Sequence, residues 1–170
     1  NAIRTCCSAA KTNPEKIGGW EQLGGDKLTG AGRAIHNWNN NINEKYSAIG
    51  TNRILYVYSE VAFYDIHPIR VTITGANFTS TSGSATVTVT ASSAVHGLEN
   101  DDIVMFDAVS GLSGSTFTDA TFQDQKFMVT SVLSSNSFTI TMATTESGTA
   151  LTNAGSASIL CYYSVGPSIQ

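Results

Sequence analysis

The chain has 170 residues, a formal net charge of −4, and only 13% charged residues against 41% hydrophobic ones. Its length suits one ordinary domain or two small ones. Basic residues are nowhere dense enough to hold phosphates by counterion release. This argues against tight nucleic-acid binding while allowing DNA to pass nearby. Charged residues usually make up about a quarter of a globular chain. Here Gly, Ser, Thr and Asn take their place, a profile that suits β-strands joined by turns.

The first seventy residues carry most of the Lys, Arg and Trp. "NPEKIGGWEQLGGDKLTGAG" is dense in turn signals, with Asn-Pro and two Gly-Gly pairs. Four short strand-like runs follow: "RAIHNW" (33–38), "YSAIG" (46–50), "RILYVY" (53–58) and "VAFYDI" (61–66). Tight connections between them predict an antiparallel meander, the form of a propeller blade. "RILYVY" is apolar or aromatic on both faces, so burial on both sides is expected. Trp20, Trp38, Tyr56, Tyr64, Ile66 and Pro68 are the expected structural anchors.

Residues 74–158 alternate. "SATVTVTA" sets Val87 and Val89 on one face and Thr86, Thr88 and Thr90 on the other. "SFTITMA" sets Phe138, Ile140 and Met142 inward and Ser137, Thr139 and Thr141 outward. "DIVMFDA" (102–108) and "KFMVTSVL" (126–133) lie between. A period of two with one apolar face predicts a half-solvated antiparallel sheet. A small β-barrel or sandwich of five to six strands is expected, inserted after Arg70. The Ser/Thr-rich stretch 79–93 reads as strand plus linker. Residues 159–170, with "ILCYYSVG", read as a strand returning to the first segment. No stretch has convincing helical periodicity; "SAAKTNPEK" comes nearest and is interrupted by Pro14. The fold class is therefore all-β: a meander over 1–73, an inserted β-domain over 74–158 and a return strand.

Candidate chemistry is sparse. Asp65 and His67 in "FYDIHPIR" would point the same way in an extended strand, but a metal site needs a further ligand. The other histidines, His36 and His96, lie in different segments. A turn begun by Asp65, with Ile66 in the core and Pro68 ending the ladder, is the simpler reading. "VHGLENDD" offers His96, Glu99, Asp101 and Asp102, without the ligand spacing of a calcium loop; a turn at His96-Gly97 is preferred. "GAGR" (30–33) lacks the rest of a phosphate loop, and "SGSTFTD" lacks a nucleophile elbow. Trp20, Trp38 and the tyrosines could form a sugar platform, although aromatics in a meander are more often core. "NFT" at 77–79 matches a glycosylation triplet. Of the three cysteines, Cys6 and Cys7 are adjacent and Cys161 is distant. Free thiols are preferred to a single bridge from that pair to Cys161, and no CxxC spacing suggests zinc. No apolar run approaches the ~20 residues of a membrane span. No catalytic residue, cofactor or metal is expected.

Three stretches together carry a resemblance: "PEKIGGWEQL", "GAGRAIHNW" and "YSAIGTNRILYVYSEVAFYDIHPIR". They resemble the opening part of tail nozzle or hub proteins of short-tailed double-stranded DNA bacteriophages, the tail tubular or DNA-stabilisation type. His67 stands where that pattern has Thr, and Ile35 where it has Leu. The segment from "VTASSAVHGLENDD" onward is similar to a β-domain often inserted after this motif, with Asn100-Asp101 where a Gly-containing turn is common. The residues that carry the motif are Trp20, Arg33, His36, Trp38, Gly50, Tyr56, Tyr64, Asp65, Pro68 and Arg70.

The resemblance implies a non-enzymatic propeller-type virion protein, made in the bacterial cytoplasm. It would form a ring of roughly six copies around the DNA channel. Its partners would be copies of itself, other tail and adaptor proteins, and double-stranded DNA passing through without sequence-specific contact; no membrane is involved. Such proteins are several times longer, and this chain opens on Asn1 and ends in mid-pattern on "SVGPSIQ", so a piece of a longer polypeptide is expected. A β-rich module that contacts a host surface glycan is the alternative. A depolymerase, which would need paired carboxylates such as Asp101 and Asp102, is the weakest reading.

Overall fold

A computed structural model describes residues 28–59, 62–92 and 95–164; Trp20, Cys6 and Cys7 lie outside them. The first strands are β1 (Gly32–Asn39), β2 (Lys45–Thr51), β3 (Leu55–Ser59) and β4 (Ala62–Asp65). They pair in chain order as one antiparallel sheet. The β1–β2 turn is tied by Asn40, whose Oδ1 accepts from the Ile42 and Glu44 amides. At the β2–β3 turn, Thr51 Oγ1 accepts from the Arg53 and Ile54 amides. Both are side-chain-closed turns of the kind Asn and Thr favour.

Register sorts the sheet into two unlike faces. Ile35, Ile49, Tyr56 and Asp65 form one cross-strand row, with Asn37, Ser47, Tyr58 and Phe63 beside it. The opposite face carries the row His36, Ala48, Val57, Tyr64 and the row Trp38, Tyr46, Ser59, Ala62, with Ala34, Gly50 and Leu55 at one end. Among the described strand residues, no Lys, Arg, Asp or Glu stands in a row of that second face.

The rest of the chain builds a closed barrel in the order β10-β5-β6-β9-β8-β7. Its strands are β5 (Ile69–Ser80), β6 (Thr86–Ala91), β7 (Ile103–Ser110), β8 (Lys126–Ser134), β9 (Ser137–Thr141) and β10 (Ala154–Tyr162). One helical turn, α1 (Asp119–Phe122), lies between β7 and β8. Every pairing between neighbouring strands is antiparallel. Two glycines allow the barrel its corners. Gly75 in β5 (φ 74°) and Gly155 in β10 (φ 72°) take left-handed backbone inside strands, and a Cβ on either would lie under 3 Å from Ser92 or Leu112.

The barrel core is aromatic at its centre. Phe78 and Phe122 stack at 4.4 Å between centroids, and Phe106 meets Phe78 edge-on at 5.2 Å. Val87, Val89, Phe138 and Ile140 are fully buried around them. Phe122 is thus the reason for α1: the turn drops one ring into the barrel. A second, smaller cluster of Ile54, Tyr56, Ile103 and Tyr162, with Ile49, Phe63 and Met105 against it, packs the first face of the meander onto the barrel.

The all-β reading holds, and the expected strands are present with their ends shifted by a few residues. Four expectations need correction. β3 is not buried on both sides, because Leu55 on the second face is 37% exposed. Trp38 (36%), Tyr64 (56%) and Ile66 (47%) are exposed rather than core; the first two stand on the second face and Ile66 lies beyond the end of β4. Thr139 is buried, not outward, with its hydroxyl donating to the Ser131 carbonyl at 3.3 Å. β10 begins at Ala154 and closes the barrel between β5 and β7 rather than adding to the meander, while β5 runs unbroken through position 73/74.

Candidate functional site

The polar residues of "FYDIHPIR" meet the barrel where the two sheets join. β4 ends at Asp65, whose Oδ1 accepts from the His67 backbone amide at 2.8 Å, closing an Asx turn. The turn redirects the chain into β5. The other oxygen, Oδ2, accepts from the Tyr162 hydroxyl at 3.1 Å and pairs with Lys126 Nζ at 3.0 Å. One carboxylate therefore ties β4 to β8, to β10 and to its own turn. The Asp65 and Lys126 side chains are each about four-fifths shielded, at 21% and 22% exposure.

Around this pair the aromatic groups are ordered. Lys126 Nζ lies 5.8 Å from the centre of the Tyr56 ring, within cation–π reach. The Tyr56 hydroxyl accepts from the Thr29 amide at 3.1 Å. Burial, followed by the charge of Asp65 and the hydrogen bond to it, pushes the Tyr162 hydroxyl well above the usual tyrosine range. Tyr162 therefore stays a donor at any physiological pH. Both its oxygens are held in these contacts, which makes Asp65 a tie between strands.

His67 and Arg70 complete the joint. His67 Nε2 lies 2.8 Å from the Tyr163 carbonyl, and its ring tilts against Tyr162 at 5.6 Å. His67 and Asp65 do not converge on a common point as a metal half-site would. The β3–β4 ladder ends at Asp65, before the proline, and the Pro68 carbonyl accepts one bond from the Tyr163 amide at 3.3 Å just ahead of β5. Arg70 donates to the Gly97 and His96 carbonyls at 2.7 and 2.9 Å.

The "HGLENDD" loop is likewise internally satisfied. His96 is buried; its Nδ1 accepts from the Leu98 amide at 2.9 Å, so Nε2 carries the proton and donates to the Ser134 carbonyl at 3.0 Å. Asp102 accepts from the Glu99 amide at 2.9 Å. Asp101 takes the left-handed backbone (φ 74°) that a glycine adopts at no steric cost, and it meets Arg53 from the β2–β3 turn. Among the described residues no group of three His, Cys, Asp or Glu is placed to hold a metal ion.

Of the other motif residues, Arg33 lies at the bulge of β1, where register shifts between Gly32 and Ala34. Gly50 sits opposite Leu55 on the uncharged face. His36, Trp38 and Tyr46 stack along that face at 6.0 and 5.5 Å, and the Tyr46 hydroxyl is held by Glu44 at 2.9 Å. Tyr64 shares the His36 row. The motif residues thus divide between the joint (Tyr56, Asp65, Pro68, Arg70) and the open face (His36, Trp38, Gly50, Tyr64). Asn77 of the "NFT" triplet pairs with Thr90 in the barrel wall, and its side-chain oxygen is buried.

Sequence reasoning missed Lys126 and Tyr162. It also missed Glu146, which is 1% exposed. Its carboxylate accepts from Ser115 Oγ, from the Thr116 and Gly148 amides at 2.9 Å each, and from Ser80 Oγ at 3.2 Å. Burial alone would raise its pKa. The hydrogen bonds from Ser115, Thr116 and Gly148 outweigh this and lower it to about 2.

Beside the joint lies an open cleft of about 310 Å³, lined by Leu28, Thr29, Tyr56, Phe63, Asp65, Asp124, Gln125 and Lys126. Tyr56 and Phe63 form an aromatic wall, while Asp124 and Gln125 stand exposed at the turn leading into β8.

No family model matches the chain, and no curated protein matches it. Among solved structures, phage phi92 endosialidase is similar with a TM-score of 0.40 and 22% identity, over 76% of this chain and 19% of that one. The chain thus spans about a fifth of that protein's length. Neither that protein's activity nor its substrate follows from so partial a likeness.

Proposed function

We propose that the chain is a structural, non-enzymatic part of a bacteriophage tail, of nozzle or hub type, which acts by packing. The observation that carries this reading is the second face of the meander: four strands wide, with no Lys, Arg, Asp or Glu among its described strand residues, and with Trp38, Leu55 and Tyr64 exposed on it. A solvated antiparallel sheet normally turns a polar face to water. Strands ~4.8 Å apart and about six residues long give a face of roughly 400 Å², about half of the ~800 Å² per partner in a standard interface. Such a face is too small to hold a free dimer together and suits one blade stacked on the next. The resemblance of "GAGRAIHNW" and "FYDIHPIR" to tail proteins points the same way.

In this reading the meander is one blade of a propeller. The domain inserted after it runs from β5 through β10, and the joint at Asp65 sets the angle between them. Copies form a ring around the channel with neighbouring tail and adaptor proteins. The net charge of −4 lets DNA slide past without adhering. Electron microscopy of purified virions tests the proposal. Density for this fold in a ring at the tail is the expected result. Recovery of the protein solely from infected-cell cytosol, with none in virions, overturns it.

A further inference from the structure

We infer that β1 is completed by β1 of a second copy, added antiparallel at its free edge, so that two meanders become one sheet. β1 is the outer strand of the meander and pairs only with β2 among the described residues. All 8 of its residues are exposed. The backbone N–H and C=O groups along its far side are a template for another strand, and edge strands are normally blunted by lysine, proline, inward charge or a bulge. β1 has no Lys, Asp, Glu or Pro, and its one charge, Arg33, sits in the bulge at one end. The stretch from Ala34 to Asn39 runs in regular register with β2 and carries no such block. The opposite edge strand, β4, has 4 residues, and the last of them, Asp65, is taken up by the joint. β1 also has apolar side chains in water on both faces: Ile35 is 65% exposed on the first and Trp38 36% on the second. A protein docked over one face would leave the other wet. A strand added at the edge flanks both, because its side chains alternate between faces.

Two features make the occupant a second copy. The first is that the regular stretch fits itself. A two-fold axis through His36, perpendicular to the sheet, sets Ala34 against Trp38 on the second face and Ile35 against Asn37 on the first, while His36 meets its own copy. A small residue thus lies beside the large one, and no Lys, Arg, Asp or Glu enters the ladder. The second feature is area. Such an axis keeps the two open faces on the same side of the joined sheet. Two faces of roughly 400 Å² then make one of roughly 800 Å², which matches the ~800 Å² per partner of a standard interface. The inference takes from the proposed assembly role only that the open face meets a partner, and it is tested in solution without virions, so the two can fail separately.

Sedimentation equilibrium of the intact chain should show a monomer–dimer equilibrium. Ile35→Lys and Asn37→Lys, each at an exposed position, should leave the thermal midpoint in dilute solution unchanged. Each should weaken the dimer about tenfold or more, because lysine on an edge strand blocks strand addition. Amide exchange at residues 34–38 should slow as concentration rises, and Leu55→Glu with Tyr64→Glu should leave the dimer in place. A chain still monomeric at millimolar concentration overturns the proposal. So does a dimer that survives both lysine variants, or one abolished by charging the open face. Protection of residues 34–38 that is independent of concentration would assign the edge to another segment of the same chain and equally overturn it.

Discussion

The Tyr162 hydroxyl donates to Asp65 Oδ2 across 97 positions of sequence, at 3.1 Å, joining the last strand of the barrel to the last strand of the meander. The same oxygen holds Lys126 at 3.0 Å. Replacing Asp65 with Ala strands a buried hydroxyl and a shielded ammonium at once, and a charged hydrogen-bonded partner lost from such a site costs about 1.5–3 kcal/mol. Urea denaturation should show that loss. A double-mutant cycle with Tyr162→Phe should return a coupling well away from zero. Additive losses would mean the two side chains do not support each other.

Glu146 makes the barrel acid-sensitive. Its carboxyl sits at about 2 in the folded chain against an ordinary 4.5, so the folded state favours the deprotonated form. Its stabilisation is complete above about pH 4.5 and drains away as pH falls toward 2. Denaturant midpoints between pH 5 and pH 3 should fall in the parent. They should fall less steeply in Glu146→Gln, which is itself less stable by about 1–3 kcal/mol because an amide cannot accept all the bonds the carboxylate takes.

Cys161 is fully buried and unbridged, and burial pushes its thiol up to about 11. Thiolate is the reactive form. Native alkylation followed by mass mapping should leave Cys161 unlabelled, with full labelling once urea unfolds the chain. Rapid native labelling at this residue would show that β10 opens readily.

The open face of the meander can be tested without touching the core. Leu55→Glu together with Tyr64→Glu places charge where both side chains already meet water. Each change should alter the stability of the chain by no more than about 0.5 kcal/mol. Incorporation into virions should be lost. Normal incorporation would remove the support this face gives to the assembly role.

His67→Thr should cost about 1 kcal/mol, the loss of one hydrogen bond to the Tyr163 carbonyl, and should leave assembly intact. Failure to assemble would give His67 a part in packing beyond its bond to Tyr163 and its ring contact with Tyr162.

The alternation of "SATVTVTA" was readable because Val87 and Val89 of β6 face the barrel core while its threonines are exposed or half-buried; in "SFTITMA" the pattern held for Phe138 and Ile140 but not for Thr139, which is buried with them. β10 opens on Ala, Gly and Ser, residues with little hydrophobic signal, and owes its place to pairing with two distant strands. The exposure of Trp38 and Tyr64 was hidden because an aromatic reads as core wherever it stands; only register separates the packed face from the open one. Asp65 was noticed for its neighbour His67, yet its partners come from β8 and β10, beyond the reach of any local pattern. Glu146 lies in "TTESGTA", a run without periodicity, and nothing there announces a buried carboxylate.

The place of β10 also governs how the barrel can form. It is the last strand among the described residues, yet it fills the gap between β5 and β7. Until residue 162 has been made, both neighbours present open edges, the kind that recruit other chains. Ring closure must then bring together segments some eighty positions apart before any contact repays the lost chain entropy. The barrel should therefore fold late and slowly for its size, as non-local β topologies do. A chain cut short before Ala154 would become a target for aggregation rather than a smaller barrel.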